Sequence, residues 1–216
     1  MPGAEGWGRH VHLEGGDATG KTTQEMLAKK YAEENGLPLL TTIEPGGTEL
    51  GQEFRNILLH NRAHNLGAMT ENFVYMADRN HTLETVTLPA LQQGTNVLHV
   101  RARWSASAYQ GAGGGLSVDL INQLHELAFP DWYNSPDAIA ILALRGQTLM
   151  KRRNAKAQLN GLDKIEARNH DYHLRVSEQY EKLAREHPKA VLIDAEMSRE
   201  EVFDVLRPLI FGPDHA

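Results

Sequence analysis

The chain has 216 residues, of which 41% are hydrophobic and 23% are charged, an ordinary balance for a globular protein with one α/β domain. Its 22 basic and 28 acidic residues give a formal net charge of −6, which excludes a bulk positive surface for nucleic acid but leaves room for a local basic patch. The absence of cysteine excludes disulfides, a thiol nucleophile and a cysteine metal site, and it agrees with a cytoplasmic protein.

The predicted elements begin after a flexible tail over residues 1–9, which lacks the charged and apolar regions of a signal peptide. Downstream, no apolar run reaches the roughly 18 residues that a membrane span needs. The predicted strands cover residues 10–14, 37–43, 95–100, 138–144 and 190–194. The predicted helices cover residues 20–35, 48–60, 69–93, 116–128, 147–186 with a break, and 198–210.

The alternation of strands and helices indicates the fold class. Most of the predicted strands are near-continuous apolar runs, as expected for strands that are covered on both faces. The sequence therefore predicts an α/β fold with a doubly wound, five-stranded parallel sheet and helices on both faces. It also predicts a single domain over residues 10–216, with a basic lid at about 146–166.

A phosphate-binding motif follows the first predicted strand and opens a predicted helix. In GGDATGKT, Gly15 and Gly20 stand five residues apart and are followed by Lys21 and Thr22, which is a Walker A loop in its usual context. Lys21 would contact the β- and γ-phosphates of ATP, and the Thr22 hydroxyl would ligate Mg²⁺. The residues predicted to bind ATP are Gly15, Gly16, Asp17, Ala18, Thr19, Gly20, Lys21, Thr22 and Thr23.

Four further stretches occur in an order that is found in one protein family. They are EPGGTELG at 44–51, FVYMADRNH at 73–81, SASAYQGAG at 105–113 and GLDKIE at 161–166. Together with the P-loop, these stretches make the sequence resemble thymidylate kinase over roughly residues 10–210. The resemblance implies a P-loop kinase fold, ATP and Mg²⁺ as cofactors, small-molecule nucleotide substrates, and a homodimer packed through helices such as 48–60 and 69–93.

The resemblance also implies roles for individual side chains. Asp17 would contact the sugar and the acceptor phosphate, and Glu44 and Pro45 would lie on the acceptor-phosphate side. Tyr75 would stack on the base, and Arg79 would point at a base carbonyl. Further substrate contacts would come from Arg55, Arg101, Ser105, Tyr109 and Gln110.

Structural alternatives stay open for several of these residues. Tyr75 also fits a core position on an apolar helix face, Glu44 could cap the next helix, and Arg55 could be a solvated helix charge. The eleven histidines are scattered along the chain, and no pair has a metal-ligand spacing with a general-base Glu between them. None is therefore predicted to be a zinc ligand.

The lid carries a basic run that includes Lys151, Arg152, Arg153 and Lys156. Such a run is commonly only a solvated helix face. The P-loop itself has no arginine, so the charge that develops in the transition state needs a cation from elsewhere, and Arg152 is predicted to supply it. By the resemblance, an acid pair in the lid approaches the metal or the ribose. The predicted metal-binding residues are Thr22, Asp163 and Glu166, and the predicted catalytic residues are Asp17, Lys21, Arg101 and Arg152.

The sequence departs from the family pattern at the end of the third strand. The usual Asp-Arg pair becomes Val100–Arg101, and no shift of register restores an acid, because the neighbouring residues are His99 and Ala102. Loss of one group that orients a metal typically costs about 10–100-fold in affinity or activity, which predicts a slowed enzyme rather than an inactive one. The other departures are Ile43, Ala106, Gly114 and Ala143.

These patterns favour a kinase that transfers phosphate from ATP to a pyrimidine deoxynucleoside monophosphate, with dTMP as the first candidate. Ala106 removes a polar contact to the base. The alternative acceptor is therefore dUMP or a 5-substituted dUMP, free or within DNA, as in phage pathways of nucleotide modification. A second alternative is a degenerate protein that binds nucleotide without turnover.

Overall fold

A computed structural model describes residues 6–60 and 65–215 of the chain. In these residues, five strands form one sheet in which every neighbouring pair is parallel. The order across the sheet is β2-β3-β1-β4-β5. The strands are β1 His10–Gly15, β2 Leu39–Ile43, β3 Asn96–Val100, β4 Ala138–Ala143 and β5 Ala190–Asp194. The predicted doubly wound parallel sheet is confirmed.

Helices cover both faces of this sheet. The α-helices are α1 Lys21–Asn35, α2 Glu49–Arg55, α3 Ala68–Thr82, α4 Leu88–Gln92, α5 Arg103–Ala106, α6 Val118–Ala128, α7 Asp131–Asn134, α8 Gly146–Asn160, α9 His170–Glu186 and α10 Arg199–Phe211, with π-helical turns at Asn56–His60, Leu83–Thr87 and Ser107–Gly113 and a 3₁₀ turn at Pro213–His215. Within the described ranges, no helix is both long enough and apolar enough to cross a membrane.

The helical segment that begins at α5 was not predicted from the sequence. Its glycines disfavour a helix by intrinsic propensity. Packing overrides that preference, because a Cβ on Gly113 would lie 2.6 Å from the ring of Tyr172 on α9. The close approach of α9 therefore requires a glycine at this position and holds the segment in place.

The first strand separates two different environments. Alternate residues of a strand point to opposite faces of the sheet. Val11 and Leu13 pack into an apolar core with α1 and α10. His10, His12 and Glu14 lie on the other face and are also fully buried. One face of β1 is thus apolar, and the other carries three buried polar side chains.

The chain segment before β1 is attached to the body of the protein. The sequence predicts a flexible tail over residues 1–9, of which residues 1–5 lie outside the described ranges. The Gly8 N–H donates to the Leu91 carbonyl at 2.9 Å. The Arg9 N–H donates to Oδ1 of Asn96, also at 2.9 Å. The ordered body therefore begins before His10.

The topology brings the motifs to one edge of the sheet. The P-loop follows β1, residues 44–51 follow β2, and residues 101–113 follow β3. Because all the strands are parallel, these three segments leave the sheet at its carboxyl edge, where α/β proteins bind their ligands. The lid, with α8 as its main element, follows β4 at the same edge.

Candidate active site

The P-loop is shaped by one glycine and one buried lysine. Gly15 has a φ of +136°, and a Cβ there would lie 2.5 Å from the Leu142 carbonyl oxygen, so both conformation and packing require glycine. Nζ of Lys21 donates to the carbonyl oxygens of Gly15 at 2.8 Å and Gly16 at 2.6 Å. Burial, followed by the charge of Arg101, lowers the pKa of Lys21 well below its ordinary value. The ammonium group thus lies inside the loop, where phosphate oxygens would relieve its desolvation.

A cavity of about 510 Å³ opens beside the P-loop. Its walls come from the P-loop, the segment after β2, α2, α3, the segment after β3, and the lid. The predicted site residues that line it are Asp17, Ala18, Thr19, Gly20, Lys21, Thr22, Glu44, Pro45, Arg55, Tyr75, Arg79, Arg101, Ser105, Tyr109, Gln110, Arg152, Asp163 and Glu166. Three other predicted residues do not line the cavity: Gly15 and Gly16 at the start of the loop, and Thr23 just after it. Segments that are far apart in the sequence therefore share one cleft.

Arg101 links the P-loop to the segment after β3. Its Nη2 lies 2.5 Å from Oδ1 of Asp17, and its Nη1 donates to the Tyr109 hydroxyl at 3.0 Å. Burial alone would raise the pKa of Asp17, but Arg101 and then Lys21 outweigh it and lower the pKa below its ordinary value. Asp17 therefore stays ionised. Among the described residues other than glycine, Ala18 and Arg101 have positive φ angles, of 63° and 60°, and both line this cleft.

Glu44 and Arg79 form a buried ion pair, in which each side chain is 1% exposed. Nε of Arg79 lies 2.6 Å from Oε2 of Glu44, and its Nη2 donates to the Ala102 carbonyl at 3.2 Å. The Glu44 carboxylate thus faces Arg79 rather than an open phosphate site. It is not a helix cap either, because the Thr48 hydroxyl accepts from the Gly51 N–H at the start of α2.

His125 completes the surroundings of Arg79. Its Nε2 lies 2.6 Å from Nη1 of Arg79, and its Nδ1 lies 2.8 Å from the Ile121 carbonyl. Burial, followed by Arg79, lowers the pKa of His125 to about 2. The imidazole is therefore neutral, with its proton on Nδ1, so that Nε2 accepts a hydrogen bond from the guanidinium. This contact fixes the side chain that the resemblance assigns to the base.

Tyr75 and Arg55 both border the cleft and are half-buried. Tyr75 also packs against the apolar cluster that contains Leu59, so it combines the core and site positions weighed in the sequence. Nη1 of Arg55 donates to the Pro45 carbonyl at 2.8 Å. Arg55 is therefore held against the segment after β2, and its interpretation as a solvated helix charge is wrong.

Glu14 is a structural acid that sequence reasoning missed. Its buried carboxylate accepts from the Ala102 N–H at 2.9 Å, the Ser105 hydroxyl at 2.7 Å and the Tyr180 hydroxyl at 2.9 Å. Burial raises its pKa despite these hydrogen bonds. The carboxylate therefore holds the turn that carries Arg101, and it occupies the Ser105 hydroxyl that was predicted to contact substrate. A glutamate at the end of an apolar strand was the available signal.

The lid folds back on itself around Glu166. Its carboxylate pairs with Lys156, and its carbonyl accepts from Nη2 of Arg153 at 3.1 Å. Oδ1 of Asp163 accepts from the N–H groups of Ile165 and Glu166, both at 2.8 Å. Burial raises the pKa of Asp163, and the charges of Glu166 and Asp17 add to that effect. Asp163 and Glu166 thus line the cleft together with Asp17, while their oxygens are engaged by lid groups in this conformation.

Val100 leaves the end of β3 without an acid, as predicted. It is 2% exposed, borders the cleft, and packs in the apolar core that contains Leu13. The neighbouring acid, Glu14, is directed to the backbone of residues 102–105. Besides Glu44, the carboxylates that line the cleft are those of Asp17, Asp163 and Glu166.

Asp78 gives a testable link between protonation and stability. It is fully buried, its Oδ1 accepts from the Gly46 N–H at 3.2 Å, and burial followed by Glu44 raises its pKa from 3.8 to about 7. Between these two pH values, Asp78 keeps its proton in the folded protein and loses it in the unfolded chain. The free energy of unfolding therefore falls as the pH rises, and the loss is complete above about pH 7. Asp78→Asn is expected to raise Tm by about 2–8 °C at pH 8 and by much less at pH 5. The control is Asp204→Asn on α10, an exposed position, and an equal effect of Asp78→Asn at both pH values would contradict the assignment.

Comparisons with known proteins identify the family of this chain. The sequence profile of the thymidylate kinase family matches residues 13–205. A thymidylate kinase of Clavibacter sepedonicus is 39% identical over 201 residues, which cover 93% of each chain. One of Caldicellulosiruptor saccharolyticus is 34% identical over 203 residues, which cover 94% of this chain and 96% of its own.

A solved structure shows the same fold. The crystal structure of thymidylate kinase from Ehrlichia chaffeensis matches with a TM-score of 0.72 and 28% sequence identity, covering 93% of this chain and 98% of its own. The predicted P-loop kinase fold is therefore confirmed. The order of the motifs, the shared cleft and these matches lead to one conclusion: the chain belongs to the thymidylate kinase family.

Proposed function

We propose that the protein phosphorylates dTMP to dTDP with ATP as the phosphate donor. The observation that carries this proposal is the joining of two half-sites in one cleft. Lys21 of the P-loop and the Tyr75–Arg79 pair of α3 line the same cavity, with Arg101 among its walls. Relatives named thymidylate kinase match over most of the chain, which supports the same reaction. The protein is thus a nucleoside monophosphate kinase.

The donor side of the cleft suits ATP with Mg²⁺. Residues 15–23 would surround the phosphates with backbone N–H groups. Nζ of Lys21, which donates to the Gly15 and Gly16 carbonyls, would donate to phosphate oxygens instead. The Thr22 hydroxyl, Asp163 and Glu166 are the groups that would hold Mg²⁺, which neutralises phosphate charge when bound. Phosphoryl transfer requires mainly positioning and charge neutralisation, so the valine at position 100 slows such a site without abolishing it.

The acceptor side positions a nucleoside monophosphate. Tyr75 would stack on the pyrimidine ring, and Asp17 would orient the sugar. Arg101, which contacts Asp17, would lie between the two phosphates. Three nitrogens of Arg79 have protein partners, yet each terminal nitrogen carries two hydrogens, so donors to the base O4 remain. Its fixed orientation makes it a selective donor, because Glu44 and His125 prevent it from rotating toward another base.

The lid supplies a cation for the transition state. Arg152 borders the cleft, whereas Lys156 is paired with Glu166. We expect Arg152→Ala to lower kcat by about 10²-fold while it changes the KM for ATP much less, because the charge it stabilises develops in the transition state. Steady-state kinetics with varied ATP measures both constants. Lys151→Ala, at an exposed lid position, is the matched control, and an unchanged kcat in Arg152→Ala would move the role to Arg153 or Lys156.

An acceptor panel tests the proposed function. The kcat/KM values for dTMP, dUMP, 5-hydroxymethyl-dUMP, dCMP and dGMP are measured with fixed ATP and Mg²⁺. We expect dCMP and dGMP to be rejected strongly, since the cytosine amino group meets the Arg79 donors, whereas one methyl group is worth only about 1–3 kcal/mol. Discrimination between dTMP and dUMP is expected to be modest, because the small Ala106 borders the cleft.

The same panel separates the alternatives. Turnover of the 5-hydroxymethyl compound alone, or of that base within an oligonucleotide, would replace dTMP by a modified acceptor. Nucleotide binding without any product would identify a protein that has lost catalysis. Efficient use of dCMP would remove Arg79 from base recognition.

The oligomeric state is also part of the proposal. We infer a cytoplasmic homodimer that packs through α2 and α3. Phe73 on α3 and Leu50 on α2 are 53% and 41% exposed, so these two helices offer apolar side chains to a partner. The mass in solution by light scattering tests this, with Phe73→Glu as the variant expected to dissociate.

A further inference from the structure

Three histidines meet inside the protein on the polar face of β1. His10 and His12 are two residues apart on this strand, so their side chains project from the same face. His99 on β3 is the register partner of His12. All three are fully buried, and a ligating nitrogen of each lies within 4.8 Å of those of the other two. Three of the eleven histidines that look scattered in the sequence therefore meet here, and the spacing of two residues between His10 and His12 on a strand was the signal for it.

Several polar atoms of this histidine cluster lack a hydrogen-bond partner in the protein. Among the described residues, Nδ1 of His10 and both ring nitrogens of His12 have no hydrogen-bond partner, and the buried Tyr133 hydroxyl also lacks one. The ring centroids of Tyr133 and His12 are 5.1 Å apart. Nε2 of His10 lies 3.5 Å from Nδ1 of His99. Buried polar atoms without partners are rare in native proteins, and a bound ion is one of the few causes that account for several at once.

The ring nitrogen of His99 that points away from the cluster faces a carboxylate, as is usual for metal-bound histidines. Its Nε2 lies 2.7 Å from Oε1 of Glu44, a close contact whose angle falls short of a hydrogen bond. With Nδ1 directed into the cluster, Nε2–H faces a carboxylate, the pairing that orients a histidine ligand and raises its basicity.

We propose that His10, His12 and His99 bind one divalent transition-metal ion of the zinc class. Three imidazoles suit Zn²⁺ or Co²⁺ and do not suit Mg²⁺, which prefers oxygen ligands. Zn–N bonds of about 2.0–2.1 Å place tetrahedral ligand nitrogens roughly 3.4 Å apart. Nε2 of His10 and Nδ1 of His99 are already 3.5 Å apart, and the ligand nitrogens of all three rings lie within 4.8 Å of one another, so the bound ion would need to draw the remaining nitrogens only slightly closer. The fourth position falls to the Tyr133 hydroxyl or a water.

This ion is structural and separate from the reacting Mg²⁺. The cluster is fully buried, so the metal enters as the chain folds and the binding energy contributes to stability. The site lies behind the Glu44–Arg79 pair, because His99 and Arg79 contact different oxygens of the Glu44 carboxylate. An ion bound there also fixes Glu44 from behind the acceptor site.

The test uses untagged full-length protein, unfolded with a chelator and refolded with equimolar Zn²⁺ or Co²⁺ before gel filtration. We expect one retained ion per chain by elemental analysis, a visible cobalt spectrum of tetrahedral type, and a Tm that is higher than after refolding with chelator. His10→Val/His12→Val is expected to lose the ion. His60→Gln/His170→Gln, which removes two exposed histidines, is expected to keep it.

Two results would overturn the site. One is wild-type protein that refolds without a retained ion and with a Tm independent of metal. The other is a folded His10→Val/His12→Val protein that retains the same ion. If that variant does not fold, the cobalt spectrum of the wild type decides alone, and an octahedral spectrum or none rejects the proposal. None of these measurements depends on turnover, so they stand apart from the kinase assay.

Discussion

Lys21→Ala is expected to lower kcat by about 10²–10³-fold, the usual cost of removing a cation that stabilises transferred charge. The fold is expected to survive, because Nζ of Lys21 contacts the P-loop carbonyls and Thr19 rather than the apolar core. The measurement is kcat with saturating ATP and dTMP, together with a thermal melt of the same preparation. These two readouts separate a catalytic loss from a folding loss.

The matched control lies on the same helix. Lys29 is 56% exposed and pairs with Glu25 one turn away, so Lys29→Ala removes a lysine of α1 without entering the cleft. Its kcat is expected to equal that of the wild type. If Lys21→Ala kept more than about a tenth of the wild-type kcat, the role of Lys21 on the transferred phosphate would be wrong.

Arg79→Met is expected to destabilise the protein by about 3–5 kcal/mol, the usual cost of leaving one member of a buried ion pair alone. Glu44 would lose its 2.6 Å partner while 1% exposed, and His125 would lose the donor to its Nε2. The free energy of unfolding from urea titrations measures the effect. The double variant Arg79→Met/Glu44→Gln is expected to recover part of the loss, since the unpaired charge is then gone.

A surface ion pair with the same separation provides the control. Nε of Arg145 is also 2.6 Å from a carboxylate, that of Glu181, but the arginine is 65% exposed. Arg145→Met is expected to cost at most about 1 kcal/mol, because solvent screens an exposed pair. Equal losses for the two variants would show that burial does not set the strength of the Arg79 pair.

The sheet and the P-loop were predictable because their signals are local. Most of the strands are short apolar runs, and Gly15, Gly20 and Lys21 identify the loop by spacing alone. The helical segment at residues 103–113 was missed for the opposite reason. Gly113 is required by contact with Tyr172, which lies about sixty residues further along the chain. Local propensity cannot report such a contact.

The roles of acids in the cleft were harder to predict than their positions. Glu44 lies beside the cleft as predicted, yet its carboxylate is bound to Arg79 and approached by His99. Glu14 holds backbone N–H groups of residues 102 and 105. Whether a carboxylate faces a ligand or the protein depends on which partners the fold brings to it, and those partners lie 35 or more residues away. Sequence motifs therefore located the cleft, while the structure was needed to assign its ion pairs.

The two unlike faces of β1 also affect how the sheet assembles. Central strands of parallel sheets are commonly apolar on both faces, so a shift of pairing by one residue changes little. In this chain such a shift would turn His10, His12 and Glu14 toward the apolar core of α1 and α10, and it would leave Val11 and Leu13 against the polar side. Burying unpaired polar groups in an apolar core is costly, so the mispaired sheet is selected against during folding. The polar residues His10, His12 and Glu14 thereby fix the register of β1 against β3, and with it the position of the P-loop relative to Arg101.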